Sequence, residues 1–263
     1  MPAAPLIDAV GLVKDYGDVR ALAGLDLRVA PGEIYGLLGP NGAGKTTTLR
    51  ILAALDRPTS GRLMVAGFDP SDDAIEVKKR VGYVAETAIL YESLTPREYF
   101  EFVASTRRLD RGVVKRASTL ADAFDLGSHY DVPIGALSLG TKQKIAIIAA
   151  VMHSPPLLLL DEPLNGLDAK SGRILKEVVS LHARGGGGVV FSSHIMEVAE
   201  AMCTRIGIVN EGRVVAEGTM EELRALSGRR DSSLEELFLK LTEEEGFVAE
   251  TIGRLREDAS RGP

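Results

Sequence analysis

Residues 33–47 read Glu33-Ile34-Tyr35-Gly36-Leu37-Leu38-Gly39-Pro40-Asn41-Gly42-Ala43-Gly44-Lys45-Thr46-Thr47, and Gly39 to Thr46 fit the pattern G-x-x-x-x-G-K-[ST]. A loop this rich in glycine lets successive backbone N–H groups turn inward around an anion, with few side chains in the way. Lys45 adds a positive charge for outer phosphates, and Thr46 adds a hydroxyl for Mg²⁺. The flanks decide the reading. Residues 33–38 are mostly apolar and read as a buried strand, and residues 45–55 read as a helix. Strand, glycine loop and helix in that order separate the motif from a glycine-rich turn with a stray lysine. The expectation is a nucleoside triphosphate site.

The chain has 263 residues, enough for one large domain, and 45% are hydrophobic, enough for a sizeable core. Its net charge is −6, so no general excess of Lys and Arg exists to displace counterions, and nucleic acid is not expected as a partner. Cys203 is the single cysteine. It cannot form an internal disulfide, which points to a reducing compartment. It lies in an apolar stretch, 195–203, and reads as packing. The start, Met1-Pro2-Ala3-Ala4-Pro5, lacks the charged and apolar regions of a signal peptide. No run approaches the ~18 apolar residues needed to span a bilayer. A cytoplasmic protein is expected, held at a membrane only through something else.

Outward from the glycine loop, residues 6–30 carry period-two patches that suggest antiparallel strands. Short strands are expected at Arg62–Ala66 and Val81–Val84. The stretch 95–150 reads as helical, with helices from Thr95, over 111–124 and over 139–152. Thr95-Pro96-Arg97-Glu98 is a capping box with Pro at the first helical position. Alternation then returns: strand at Leu157–Leu160, helix 169–183, strand at Val189–Ser192, helix 195–203, and a final pair at Ile206–Val209 and Val214–Glu217. Capping boxes at Thr219…Glu222 and Ser233…Glu236 open late helices, and the tail beyond about 245 is polar. Gly185–Gly188 reads as a flexible connector. The alternation implies an α/β fold with a mostly parallel sheet covered on both faces, and the 95–150 block is a helical insertion.

In parallel sheets, ligands gather at the carboxyl ends of strands. Three such ends carry reactive groups. One runs into the glycine loop, one into Asp161-Glu162, and one into His194. An aspartate closing an apolar strand is placed to hold Mg²⁺ near such a loop. Glu162, one residue on, is placed to polarise an attacking water. Without the glycine loop, the two acids read as the start of a polar turn. His129, His153 and His182 read as incidental. Ser138, before helix 139–152, reads either as an anion site at a helix N-terminus or as an ordinary N-cap.

With these residues in hand, the chain resembles the ATP-binding subunits of ABC transporters from about Leu6 to about Leu226. The resemblance implies a P-loop NTPase core with an N-terminal antiparallel β subdomain. It implies an ATP-binding domain over 6–230, a helical subdomain over about 87–153, and a helical, polar tail over 231–263. Gly39–Thr47 matches the Walker A loop, Leu137–Gln143 the signature motif, and Leu157–Glu162 the Walker B strand. Tyr16 resembles the aromatic that stacks on adenine; by itself it reads equally as a strand-edge tyrosine. Leu164–Asp168 resembles the loop that reaches across a dimer, and His194 the switch histidine near the γ-phosphate. Three residues depart from the family pattern: Leu139 for a usual glycine, Glu86 for a usual glutamine, and Asn165 for a common serine.

What the resemblance implies is ATP and Mg²⁺ as cofactors and hydrolysis between two chains, the same or sister. Each ATP would lie between Gly39–Thr47 with Tyr16 of one chain and Ser138, Gly140 and Asp168 of the other. Thr46, Asp161 and Glu86 would face the metal, with Glu162 and His194 catalytic. The branch is an exporter type with a separate transmembrane permease, contacted near 86–107, which places the protein peripherally on the inner face of the membrane. Tyr83, Tyr91, Tyr99, Phe100 and Phe102 crowd this region, and a mixture of core and docking groove is expected, with the core taking more. The main rival is a non-transport ABC ATPase acting on nucleic acid or ribosomes. It lacks support from a coiled coil, a second cassette or a basic surface.

Overall fold

The chain opens with β1 (Ile7–Tyr16) and β2 (Val19–Val29), an antiparallel pair with two long bulged strands. Next come β3 (Ile34–Leu38), the glycine loop, α1 (Lys45–Leu52), β4 (Ser60–Val65), α2 (Ala74–Arg80) and β5 (Val81–Val84). The helical insertion holds α3 (Pro96–Thr106), α4 (Arg111–Ala123) and α5 (Leu139–Val151). Then follow β6 (Leu157–Asp161), α6 (Ala169–Arg184), β7 (Gly188–Ser193), α7 (Met196–Met202), β8 (Arg205–Asn210), β9 (Arg213–Gly218), α8 (Met220–Ser227) and α9 (Leu234–Leu241). This computed structural model describes residues 4–227 and 233–241. The polar tail beyond 245 lies outside them.

Two sheets result. One is antiparallel, in the order β2-β1-β4, and the other has six strands in the order β5-β6-β7-β3-β8-β9. In the larger sheet only β9 runs antiparallel to its neighbour. β3 lies between β7 and β8 and is buried at all five positions, as is β6. A strand covered on both faces needs a continuous apolar run rather than alternation, which is what Leu157–Leu160 supplies. The period-two rule still sorts these leucines. Leu157 and Leu159 pack with Leu49, Ile51 and Leu52 of α1 and with Leu12, Leu22 and Leu25 of the antiparallel sheet. Leu158 and Leu160 pack on the opposite face with Ile145, Ile148, Leu175 and Val179 of α5 and α6. Each such burial stabilises by about 1.5–3 kcal/mol.

Helix starts follow their caps. The Thr95 hydroxyl accepts from Glu98 N while the Glu98 carboxylate accepts from Thr95 N, with Pro96 at the first position of α3. The same reciprocal pair opens α8 at Thr219 and Glu222. Ser233 accepts from Glu236 N at the start of α9.

Two expectations are corrected, one helix is new, and Cys203 packs as expected. The helix expected over 45–55 stops at Leu52, because Ala54 takes a left-handed φ of 55° and turns the chain; Ala-Ala-Leu composition conceals that turn. α2 was not expected, since seven residues with only Val77 buried carry no readable period. Gly185–Gly188 is a tied corner. Gly185, Gly186 and Gly187 donate to Leu181 O, Ala183 O and His182 O, Gly188 donates to Pro156 O, and a Cβ on Gly187 would collide with the His182 ring. Cys203 lies one residue beyond α7 as its C-cap. Its Sγ packs within 2.7 Å of where a Gly36 Cβ would stand, and burial pushes the thiol up to about 12.

His153 is not incidental to stability. Its Nε2 lies 3.0 Å from Arg107 Nη1, and burial, aided by the Arg107 charge, pushes its pKa from 6.5 down to about 4. The unfolded chain therefore takes up this proton at higher pH than the native chain. Stability is lost as pH falls across that window. His153→Gln should flatten this part of the pH dependence, read as denaturation midpoints at pH 7 and near pH 4.5.

Candidate functional site

The glycine loop leaves the carboxyl end of β3 and ends in α1, whose first N–H groups have no partner within the helix. Gly44 takes φ 105°, and a Cβ there would meet Ala21 O and Leu22 Cδ2 at 2.7 Å. Lys45 follows, only 7% exposed. Its ammonium donates to Gly39 O at 2.6 Å and Pro40 O at 3.1 Å. Burial lowers its pKa, against the pull of Glu162, Asp161 and Glu86. The lysine thus stands at a point where several negative groups converge.

β6 and β7 end side by side, Asp161 opposite Ser192. The Ser192 hydroxyl donates to Asp161 Oδ1 at 2.6 Å and accepts from Glu162 N at 2.9 Å. One buried serine thereby orients both acids. Glu162 adopts a left-handed φ of 45°, a sparsely populated conformation for a residue with a side chain, and one that clusters at functional sites. Its Oε2 accepts from His194 Nδ1 at 2.9 Å. An ionised carboxylate only accepts, so Nδ1 carries the hydrogen and Nε2 is left for another partner. Glu162 is 8% exposed, while the His194 side chain is 57% exposed; the carboxylate is screened and the histidine faces solvent.

The second Asp161 oxygen, Oδ2, is buried and has no hydrogen-bond partner. A buried carboxylate oxygen in that condition is costly, and a cation beside it removes the cost. No group of three or more His, Cys, Asp or Glu side chains comes together as a metal cage among the described residues. A metal at Asp161 would therefore complete its shell with water and phosphate oxygens, which is how Mg²⁺ is usually held.

One cleft of about 500 Å³ brings together Tyr16, Asn41, Gly42, Gly44, Lys45, Thr46, Thr47, Glu86, Asp161 and Glu162. An adjoining cleft of about 310 Å³ adds Gly39, Pro40, Asn165 and His194, closed by Met196 and Phe238. Ala43 is buried beneath the loop. Ser138, Gly140 and Asp168 line neither cleft. They form a patch of their own. Ser138 N-caps α5, its hydroxyl accepting from Thr141 N. Gly140 packs so closely on Gly166 that a Cβ would strike the Gly166 carbonyl. Asp168 N-caps α6 and holds Lys144 at 2.8 Å, and the Lys144 contact, with the Ser171 N–H and hydroxyl, keeps its carboxyl well below the usual range. Leu139, between Ser138 and Gly140 in the chain, stands 77% exposed.

A third groove, about 370 Å³, is lined by Leu55, Tyr83, Ile89, Leu90, Tyr99, Val103 and the small residues Ala146, Ala149 and Ala150. Of the five crowded aromatics, Phe100 is fully buried and Tyr83 and Tyr99 partly so, while Tyr91 and Phe102 stay exposed and meet edge to face at 5.0 Å. Ile89 is 88% exposed.

Sequence reading missed Ser192, although Ser192-Ser193-His194 closes a strand; a serine there is far less conspicuous than the histidine. It also missed Phe238, which reaches the cleft from a helix about 200 residues away from the loop. No local pattern marks such a contact.

A phosphate cradle at the end of a central parallel strand, a buried acid pair on a nearby strand and a facing histidine define a P-loop nucleoside triphosphatase. The ABC transporter family profile matches residues 22–165. The chain is 39% identical over 219 residues to a daunorubicin resistance ATP-binding protein, DrrA3, of Streptomyces coeruleorubidus, covering 83% of this chain and 69% of that protein. It is 36% identical to the ABC transporter ATP-binding protein NatA of Bacillus subtilis, covering 84% of this chain and 90% of that one. It spans only 42% of the length of YbhF, a probable multidrug ABC transporter ATP-binding protein of Escherichia coli, at 35% identity. Among solved structures, an ATP-binding subunit of an ABC transporter superposes with a TM-score of 0.86 at 33% identity, covering 90% of this chain and 99% of that one. The ATP-binding cassette MJ0796, in a dimeric post-hydrolysis state with ADP and Pi, gives 0.74 at 28%, covering 81% and 98%. The chain belongs to the ABC transporter family as an ATP-binding, ATP-hydrolysing subunit. No helix among the described residues is long and apolar enough to cross a membrane.

Proposed function

We propose that this chain binds ATP between two ATP-binding chains and uses its hydrolysis to drive export through a separate transmembrane permease. The observation that carries the reading is the division of the motif residues into two patches. The cleft holds Lys45, Thr46, Asp161 and Glu162, whereas Ser138, Gly140 and Asp168 stand apart on the same molecule. A single chain leaves the second patch idle. Two chains facing head to tail bring the second patch of each over the cleft of the other. The similar cassette MJ0796 is dimeric in its solved structures, which supports this.

In this reading, Tyr16 stacks on adenine. The Gly39–Thr46 backbone and Lys45 hold the β- and γ-phosphates, with Thr47 beside them. Thr46, Asp161 and Glu86 face the metal, where Mg²⁺ offsets triphosphate charge. Glu162 accepts a proton from the attacking water, and His194, held through Nδ1, presents Nε2 to the terminal phosphate. Ser138, the Gly140 N–H and Asp168 of the second chain complete the enclosure. Hydrolysis removes the ligand that favours the closed pair, and the difference in ATP affinity between closed and open states supplies the work.

The groove beside Ile89, lined by part of residues 86–107 together with Leu55, Tyr83, Ala146, Ala149 and Ala150, takes a helix of the permease, and this holds the chain to the inner face of the membrane. Purified from native membranes, the protein is expected to bring down a multi-span membrane protein, and Ile89→Glu to lose it. Recovery of only ribosomes or DNA overturns the transport reading.

A further inference from the structure

We infer that Asp56, itself held by Lys14, fixes the Tyr16 ring as a rigid platform and so sets the base-dependent part of nucleotide affinity. The inference rests on reading the cleft beside the glycine loop as the ATP site. Tyr16 is the last residue of β1 and is 44% exposed. A tyrosine at such a place is ordinarily free to change rotamer, and freezing it on binding costs about two- to tenfold in affinity.

Here the ring is already frozen. Its hydroxyl donates to Asp56 Oδ2 at 2.5 Å. The other Asp56 oxygen accepts from Lys14 Nζ at 2.7 Å and from Arg57 N at 2.8 Å. Lys14 Nζ also donates to Arg57 O at 2.7 Å and lies 4.7 Å from the centroid of the Tyr16 ring. The ammonium covers one face of the ring, so a base stacks on the other. The Lys14 and Asp56 side chains are only 13% and 18% exposed, so this pair is less screened than an ordinary surface ion pair. A phenol is protonated at neutral pH and so donates; burial and the neighbouring Asp56 carboxylate raise its pKa further, against opposing effects of Thr47 and Lys14.

The geometry also ties the two halves of the nucleotide site together. Asp56 lies in the turn that follows α1, and Lys45 begins α1. One short helix thus carries the phosphate-binding lysine at its start and the anchor of the base platform just past its end. The phosphate and base contacts are thereby linked through α1 and the short turn that follows it.

Titration calorimetry with ATP and with inorganic tripolyphosphate tests this. Asp56→Ala should weaken ATP binding by about two- to tenfold and leave tripolyphosphate binding unchanged. Asp56→Asn retains an oxygen that accepts from the phenol and should restore most of the ATP affinity. On a Tyr16→Ala background, Asp56→Ala should cost nothing further. Equal loss of both ligands, no loss of ATP affinity, or an undiminished loss without the tyrosine overturns the inference. Failure of the wild-type protein to bind either ligand overturns the reading of the cleft instead, which separates the two.

Discussion

Glu162→Gln should retain ATP binding and lose turnover by about 10²–10⁴-fold, leaving a closed dimer that persists in ATP. The amide keeps the size of the carboxylate and can still accept from His194 Nδ1 through its oxygen, so the ground-state geometry survives. What it loses is the capacity to take a proton from water. Glu162 is suited to that task by placement: Ser192 holds its backbone N–H, His194 orients its carboxylate, and it is nearly buried beside Lys45. Phosphate release measured at steady state, with size-exclusion chromatography in ATP, checks both halves of the expectation. Hydrolysis at the wild-type rate would remove Glu162 from the role of base.

Lys45→Ala should weaken ATP binding by about one to two orders of magnitude, the value of a charge-assisted hydrogen bond to phosphate. The ammonium is the positive charge placed among Glu86, Asp161 and Glu162. Removing it also leaves those acids to repel the triphosphate. The side chain is buried and bonded to its own loop through the carbonyls of Gly39 and Pro40, so the thermal midpoint belongs beside the affinity measurement. Unchanged nucleotide affinity in a folded variant would refute the phosphate cradle and everything argued from it.

Much of this was written locally in the chain. Gly39–Thr46 is legible because glycines at fixed spacing and one lysine have few other uses between a strand and a helix. β6 was legible because four successive leucines ending in Asp161 suit a strand buried on both faces. The Thr95 capping box marked the start of α3 because its two hydrogen bonds are both local. Signals failed where length or composition gave no period. α2 is too short and too exposed to show one, and the alanines after Leu52 conceal a left-handed turn. The glycines 185–188 looked like slack, and Gly187 is in fact demanded by the His182 ring that packs against it.

By itself, the sequence determined the local features: which residues suit phosphate, which acids end a strand, and where most strands and helices begin. These depend on contacts within about a dozen residues, where side-chain type and spacing suffice. Only the tertiary structure decided the partners. It set Ser192 between two acids, placed Asp56 against Tyr16 from the turn after α1, and kept Ser138, Gly140 and Asp168 apart from the cleft. The reason is physical. Such pairings join residues about 30 or more positions apart, and their geometry follows from how two sheets pack around α1 rather than from any pattern along the chain.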